Sequence, residues 1–181
     1  MSQRNTLVRS LHDVGLAAWF GGSLMGAVGL NRAAASVRDP GERISVATVG
    51  WKHWAPIQLA ALAAHGLGGA GLIVANKSRL EGQPEARTNT GVKLALTLVA
   101  VGGSLYSGLL GARMAAHAGE DVTGTTEPSS NSSAELESAQ KQQRIFQWVA
   151  PALTLVLIVL ASQQGEQQRP PAGWVQRLTH R

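Results

Sequence analysis

Four stretches that are almost free of charged residues constrain this chain more than any other feature. They cover residues 14–35, 54–75, 94–115 and 145–162. A helix needs about 20 largely apolar residues to cross roughly 30 Å of hydrocarbon, and each stretch is close to that length. A helix of a soluble bundle normally keeps a polar face, which the last two stretches lack. The sequence therefore predicts an all-α integral membrane bundle of four transmembrane helices.

The composition agrees with a single membrane domain. The chain has 181 residues, of which 15% are charged, against about 25% in a typical soluble domain. It contains no cysteine, which excludes disulfides, cysteine-ligated metals and thiol catalysis. The basic residues are not interleaved with aromatic residues on one soluble face, so we expect no nucleic-acid binding.

Basic residues flanking the four stretches predict the topology. With the N-terminus in the cytoplasm, nine Lys and Arg residues lie inside and seven outside, which has the sign of the positive-inside rule. We therefore expect a multi-pass protein of the cell membrane with both termini cytoplasmic. Residues 163–181 would form a cytoplasmic tail, in which Trp174 and Leu178 share a helical face that can lie on the membrane. Residues 116–141, rich in Ser, Thr and Glu, would be a mobile outer loop, and three tryptophans would lie at the outer interface: Trp51, Trp54 and Trp148.

A short internal repeat suggests a duplicated two-helix unit. The residues Gly-Gly-Ser-Leu at 21–24 recur at 102–105, an offset of 81. Such a duplication would relate the two halves by an axis along the membrane normal, as in some transporters. The alternative is chance, because Gly, Ser and Leu are common in membrane helices.

Small residues spaced four apart predict close packing among the first three helices. Without a hydrophobic force between helices in lipid, small residues let backbones approach and gain dispersion contacts. The fourth helix, built from Leu, Val and Ile, would face more lipid. The residues expected to pack are Gly22, Gly26, Ala64, Gly68, Ser104 and Gly108.

His65 is the candidate functional residue inside the membrane. It lies eleven residues into the second stretch, about 16 Å deep at 1.5 Å per residue, and intramembrane ionisable residues are functional candidates by default. The alternative is a neutral imidazole bonded to a backbone carbonyl. Asp13, beside His12, would cap the first helix. We expect no haem between His12 and His65, because they would differ in depth by roughly a dozen ångströms.

His53 and His117 form a weaker candidate pair at the expected outer face. Imidazoles together with the carboxylates of Glu120 and Asp121 could bind zinc or copper(II). The alternative is a pair of solvated histidines, since no short histidine spacing supports a preformed site. The sequence contains no nucleophile elbow, Walker motif or zinc-peptidase motif, so we expect neither a resident cofactor nor an enzyme.

The segments at Leu11–Ala34 and Gly41–Leu72 carry a resemblance to known proteins. They resemble small uncharacterised four-helix integral membrane proteins of high-GC Gram-positive bacteria. The residues Trp19-Phe20-Gly21-Gly22 are more distantly similar to the membrane families around copper-resistance CopD, from which no metal ligand carries over. The resemblance implies the fold and the location, without an activity.

Three functions stay open at the level of the sequence. The first is a non-enzymatic accessory or scaffold subunit that acts through helix–helix contacts, with a membrane-protein partner or as a homo-oligomer. The second is a small oligomeric transporter or carrier with His65 near the path. The third is a metal- or haem-binding membrane protein.

Overall fold

The computed structural model describes residues 5–167, which are almost entirely helical. Two short turns separate the first helices, a π-helical turn at Gly26–Leu30 and a 3₁₀ turn at Pro40–Glu42. The elements are α1 (Thr6–Met25), α2 (Asn31–Ala35), α3 (Arg43–Ala75), α4 (Lys77–Gly82), α5 (Pro84–Ala115), β1 (Val122–Gly124), β2 (Glu127–Pro128), α6 (Ala134–Phe146) and α7 (Val149–Gln167).

The prediction of an all-α bundle with four helices able to span a membrane is confirmed. The four candidate spans are Thr6–Ala35, Pro40–Ala75, Pro84–Ala115 and Ala134–Gln163. At 30 to 36 residues each, they are about 45 to 54 Å long, well beyond roughly 30 Å of hydrocarbon. Each apolar stretch in the sequence is therefore the C-terminal part of a longer helical span, whose N-terminal turns carry most of the polar residues.

Local signals in the sequence set several helix ends. The Asp39 carboxylate accepts a hydrogen bond from the Gly41 amide at 2.9 Å, just before α3. Pro84 begins α5, where its missing N–H and fixed φ cost nothing. The Ser133 hydroxyl caps α6 by accepting from the Leu136 amide at 3.4 Å, and the Asn76 side chain donates to the Leu72 carbonyl at the end of α3 at 2.7 Å.

The four long helices are arranged in the order α3, α1, α7, α5, and the arrangement is open between α3 and α5. The closest pairing is α1 with α3, and α7 packs against both α1 and α5. In contrast, α3 and α5 contact each other sparingly. The expectation that the fourth helix would face more lipid than the others is wrong, because the buried share of the fourth span, 22%, equals that of the third and exceeds the 17% of the second. The main core, which lies among these helices, consists of Leu16, Trp19, Ala61, Ala100, Ala150 and Leu157.

Residues 116–133 and the first turns of α6 form a packed cap over one end of the bundle, instead of the mobile loop predicted from composition. β1 and β2 pair antiparallel, and the Arg43 guanidinium donates to the carbonyls of Val122 and Thr123, each at 2.8 Å. Gln140 of α6 donates to the carbonyls of Gly124 and Thr125, each at 3.0 Å. A second core of scattered apolar residues lies beneath: Ile44, Leu110, Met114, Val122, Leu136 and Ala139.

The repeated glycines make corresponding contacts in the two halves. Gly22 of α1 leaves space that the Trp54 ring fills, and Gly103 of α5 leaves space for Val149 of α7. The two halves differ in one helix contact. α1 packs on α7, whereas the corresponding helices of the other half, α5 and α3, make few contacts. The duplication stays a prediction, while the separation creates the site described below. The predicted membrane-surface helix around Trp174 lies outside the described residues.

Candidate functional site: a polar cavity where two helices separate

A cavity of about 290 Å³ opens at the end of the bundle opposite the cap, where α3 and α5 separate. The first turns of α1, the last turns of α3, the short helix α4 and the start of α5 enclose it, and Ala161 of α7 contributes to the lining. Ile73 and Leu94 line the cavity, and both side chains are also exposed at the surface of the bundle. The cavity therefore has an apolar mouth on the side where α3 and α5 part.

Two stacked histidines line this cavity. The rings of His12 and His65 lie 4.2 Å apart between centroids, tilted by 37°. Nδ1 of His65 lies 3.3 Å from the His12 carbonyl oxygen, and Nδ1 of His12 lies 2.9 Å from the Asp13 carboxylate. His65 is only 5% exposed. The contact with the His12 carbonyl agrees with the structural alternative for His65, an imidazole bonded to a backbone carbonyl. His65 also lines the cavity, as the functional alternative requires.

Two glycines explain how histidines from different helices come into contact. A Cβ at Gly68 would lie 2.5 Å from the His12 amide nitrogen, and a Cβ at Gly15 would lie 2.5 Å from the His65 amide nitrogen. Only glycine lets the backbones of α1 and α3 approach this closely. The expectation that His12 and His65 differ in depth by roughly a dozen ångströms is wrong, because α1 begins at Thr6 and carries His12 into the bundle. The stacked rings leave no space for a porphyrin plane between them.

Trp19 extends the polar contacts from the histidines toward α5. It is fully buried, and its ring meets the His65 ring edge-on with centroids 6.0 Å apart. Its indole N–H donates to the Ser104 hydroxyl at 3.1 Å. Sequence reasoning placed Ser104 at a helix contact but missed Trp19. The available signal was an indole donor in the middle of an apolar helix, which needs an acceptor from a neighbouring helix.

Charged groups surround the histidine pair. Arg9 and Asp13 of α1 and Lys93 of α5 all line the cavity, and the charges of Arg9 and Asp13 both act on Lys93. Asp13 does not cap α1, since the helix begins two turns earlier and has no acidic residue in its first turn. Arg79 of α4 adds a third cation to the lining and donates to Gln83 at 3.0 Å. Among residues 5–163, the lining thus combines three cations with one carboxylate.

The remaining small residues predicted to pack have different surroundings. Gly22 and Gly26 contact the rings of Trp54 and Trp51, respectively, so these two tryptophans pack against α1. Ala64 lies beside Gly15 in the α1–α3 contact. Gly108 is exposed, and a Cβ there would meet nothing within 4 Å. Gly108 therefore does not take part in packing within residues 5–167.

His53 and His117 are not brought together as a metal site. His53 is an exposed residue of α3, whereas the His117 ring contacts Glu120 at 2.7 Å and Ser133 at 3.3 Å. Within the described range, no group of three or more His, Asp or Glu side chains is placed to hold a metal ion. Hydrogen bonds from the Ser133 amide and then from His117 lower the pKa of Glu120 below its usual value. These contacts join the end of α5 to the start of α6.

Comparisons of the chain with protein-family models, with curated proteins and with solved structures give no match. The resemblance carried by Leu11–Ala34 and Gly41–Leu72 therefore stays a prediction.

Proposed function

We propose that this protein is a small non-enzymatic carrier of the cell membrane that holds a small molecule in the cavity between α3 and α5. One observation carries this proposal: the bundle separates at the place where His12, His65 and several charged side chains converge. A concave site with an apolar wall and a few polar groups is the usual form of a small-molecule site. The proposal takes up the carrier alternative, in which His65 lies near the path.

The polar groups of the cavity are held in place by contacts with one another, which suits the binding of a small molecule. The Asp13 carboxylate contacts the His12 ring, and the His12 backbone carbonyl contacts the His65 ring. The Thr90 hydroxyl is engaged with the Ala86 carbonyl at 2.9 Å. Groups tied together in this way can orient a bound molecule through their remaining donors and acceptors.

The test uses the open space that one cavity glycine leaves. Gly66 lines the cavity and has nothing within 4 Å of a built Cβ, so Gly66→Phe fills the cavity without a clash at that atom. Gly21→Phe, on an exposed face of α1 with equally open space, is the matched control. We expect native mass spectrometry of protein from cell membranes to show a retained small molecule in the wild type and in Gly21→Phe, and its loss in Gly66→Phe. Equal retention in all three would refute the proposal.

The proposed location and topology can be tested separately. The excess of basic residues supports an arrangement in which the cavity end and both termini face the cytoplasm. A reporter active only in the periplasm should function when fused after Ala118 and fail when fused after Arg181. The reverse result would place the cavity on the outer side.

A second candidate function, that of an accessory or self-associating subunit, is supported by one face of α5. Gly102, Leu105, Gly108 and Ala112 are all exposed on this face, and small residues let a neighbouring helix approach closely in lipid. Because the chain lacks cysteine, Leu105→Cys provides a single thiol for crosslinking. Crosslinked dimers with Leu105→Cys, and none with Val74→Cys on an exposed face of α3, would support self-association.

A further inference from the structure

The two ring nitrogens of His65 have different surroundings. Nδ1 lies 3.3 Å from the backbone carbonyl oxygen of His12, and because a carbonyl can only accept, Nδ1 must carry the proton. The side chain is buried, at 5% exposure, and burial of a neutral ring costs far less than burial of an imidazolium. In the neutral ring the second nitrogen, Nε2, is a hydrogen-bond acceptor. The backbone of α1 therefore fixes which nitrogen of His65 can accept.

Nε2 of His65 receives no hydrogen bond from the protein. Among residues 5–163, no backbone or side-chain group donates to this atom. The His12 ring stacks on the face of the His65 ring instead, with centroids 4.2 Å apart. An acceptor of a largely buried side chain is costly to leave without a donor. Because His65 lines the cavity, a molecule in the cavity can supply that donor.

A strip of small and apolar residues leads from His65 to the mouth of the cavity. Gly66, Gly69, Ala70 and Ile73 follow His65 in α3 and line the same cavity. At 1.5 Å per residue, the distance along the helix from His65 to Ile73 is about 12 Å. A Cβ at Gly66 would meet nothing within 4 Å, and Ile73 is 39% exposed. An apolar body can therefore lie along this strip, with its far end between α3 and α5.

We propose that the cavity binds a neutral, largely apolar molecule with one hydroxyl group, which donates its hydrogen to Nε2 of His65 while the apolar body lies along Gly66, Gly69 and Ala70. The inference rests on the proposed carrier function and names its substrate class. A hydroxyl is a small neutral donor, and a neutral molecule loses less solvation than an ion when it passes the apolar mouth. A carboxylate, which can only accept, has no hydrogen to give to Nε2.

The test compares probes that share one apolar body and differ in the polar group. The purified full-length protein is titrated calorimetrically with para-hexylphenol, with its methyl ether and with para-hexylbenzoate, at a constant detergent concentration because the probes also enter micelles. The phenol and the ether both carry an oxygen, but only the phenol donates a hydrogen. We expect the phenol to bind roughly five- to tenfold more tightly than the ether, which is the usual net contribution of one hydrogen bond. The benzoate should bind more weakly than the phenol.

Two substitutions of His65 separate its ring nitrogens. His65→Asn keeps a donor near the position of Nδ1 but ends short of Nε2, so the phenol should fall to the affinity of the ether. His65→Gln reaches the position of Nε2 with an amide oxygen that can accept, so part of the preference should return. The matched control is His53→Asn, at an exposed position of α3 outside the cavity lining, which should behave as the wild type. Unchanged binding of the ether shows that each variant is folded, whereas a purely structural role of His65 would weaken both probes equally.

Each other outcome has one interpretation. Equal affinities of the wild type for phenol and ether, or a preference that persists in His65→Asn, would overturn the hydroxyl contact and leave a carrier of another class of molecule. Tighter binding of the benzoate than of the phenol would overturn the neutral ligand and indicate an anion. No saturable binding of any probe would also overturn this ligand class, whereas the carrier function itself fails only if Gly66→Phe retains as much small molecule as the wild type.

Discussion

Replacing Gly15 by alanine tests the close approach of the α1 and α3 backbones. The new Cβ would lie 2.5 Å from the His65 amide nitrogen and 2.6 Å from the Ala61 carbonyl oxygen. Ordinary van der Waals contact for a Cβ begins near 3.4 Å, so α3 must move away by about 0.9 Å. Both atoms belong to backbone and cannot rotate aside. Overpacking of this kind costs about 1–3 kcal/mol, and we expect a value near the upper end for Gly15→Ala.

Gly21→Ala is the matched control on the same helix. A Cβ at Gly21 meets nothing within 4 Å, and Gly to Ala in a helix interior stabilises by roughly 0.5–1 kcal/mol. The two variants should therefore differ by about 3.5–4 kcal/mol. The measurement is unfolding in mixed micelles with increasing sodium dodecyl sulfate, followed by tryptophan fluorescence, to which Trp19 beside His65 contributes.

A second glycine in the same contact provides an independent test of the close approach of α1 and α3. A Cβ at Gly68 would lie 2.5 Å from the His12 amide nitrogen, so Gly68→Ala requires a similar displacement. Because one displacement of α3 relieves both clashes, the double variant should lose less stability than the sum of the two. Equal stability of Gly15→Ala and Gly21→Ala, or full additivity in the double variant, would contradict the close approach of α1 and α3.

Three further predictions concern polar contacts. Trp19→Phe removes the indole donor from Ser104, and a double-mutant cycle with Ser104→Ala in mixed micelles should give a coupling of about 0.5–1.5 kcal/mol; zero coupling would refute the bond. Arg43→Leu should expose residues 116–133 to protease, because three backbone carbonyls lose their donor, whereas Arg38→Leu, at an exposed position, should not. Because hydrogen bonds from Ser133 and His117 lower the pKa of Glu120, its contribution to stability is present above the ordinary glutamate pKa and is lost as the pH falls through the lowered value. Amide exchange at the start of α6 should accelerate over that acidic range, and Glu120→Gln should abolish the pH dependence; a variant that keeps it would disprove the assignment.

Hydropathy predicted the four spans because the requirement that it reflects is local. A segment that crosses lipid must satisfy its own backbone and present apolar side chains, and both conditions can be judged within about 20 residues. The same reasoning identified His65, since an ionisable residue is conspicuous in an apolar segment. The lengths of the helices were underestimated because their N-terminal turns carry many polar residues, so hydropathy does not mark where these helices begin.

The cap illustrates a prediction that failed for a physical reason. Residues 116–141 are poor in apolar residues, and composition alone indicated mobility. Their few apolar side chains, such as Val122 and Leu136, meet Ile44 and Leu110 from distant parts of the chain. Polar side chains such as that of Gln140 satisfy backbone carbonyls of the hairpin. Contacts of this kind depend on where the helix ends lie, which no local window of sequence contains.

The sequence by itself determined the four helices apolar enough to cross a membrane and the one histidine in the apolar stretches, because both follow from the free energy of placing each segment in lipid. Only the tertiary structure decided that His12 and Trp19 contact His65, that α7 packs between α1 and α5, and that Arg9 and Lys93 share one cavity. The physical reason is that the fit between helix surfaces determines which helices pack against each other. Two glycines, Gly15 and Gly68, allow α1 and α3 to approach until their histidines stack, while the sparse contact of α3 with α5 leaves the cavity open.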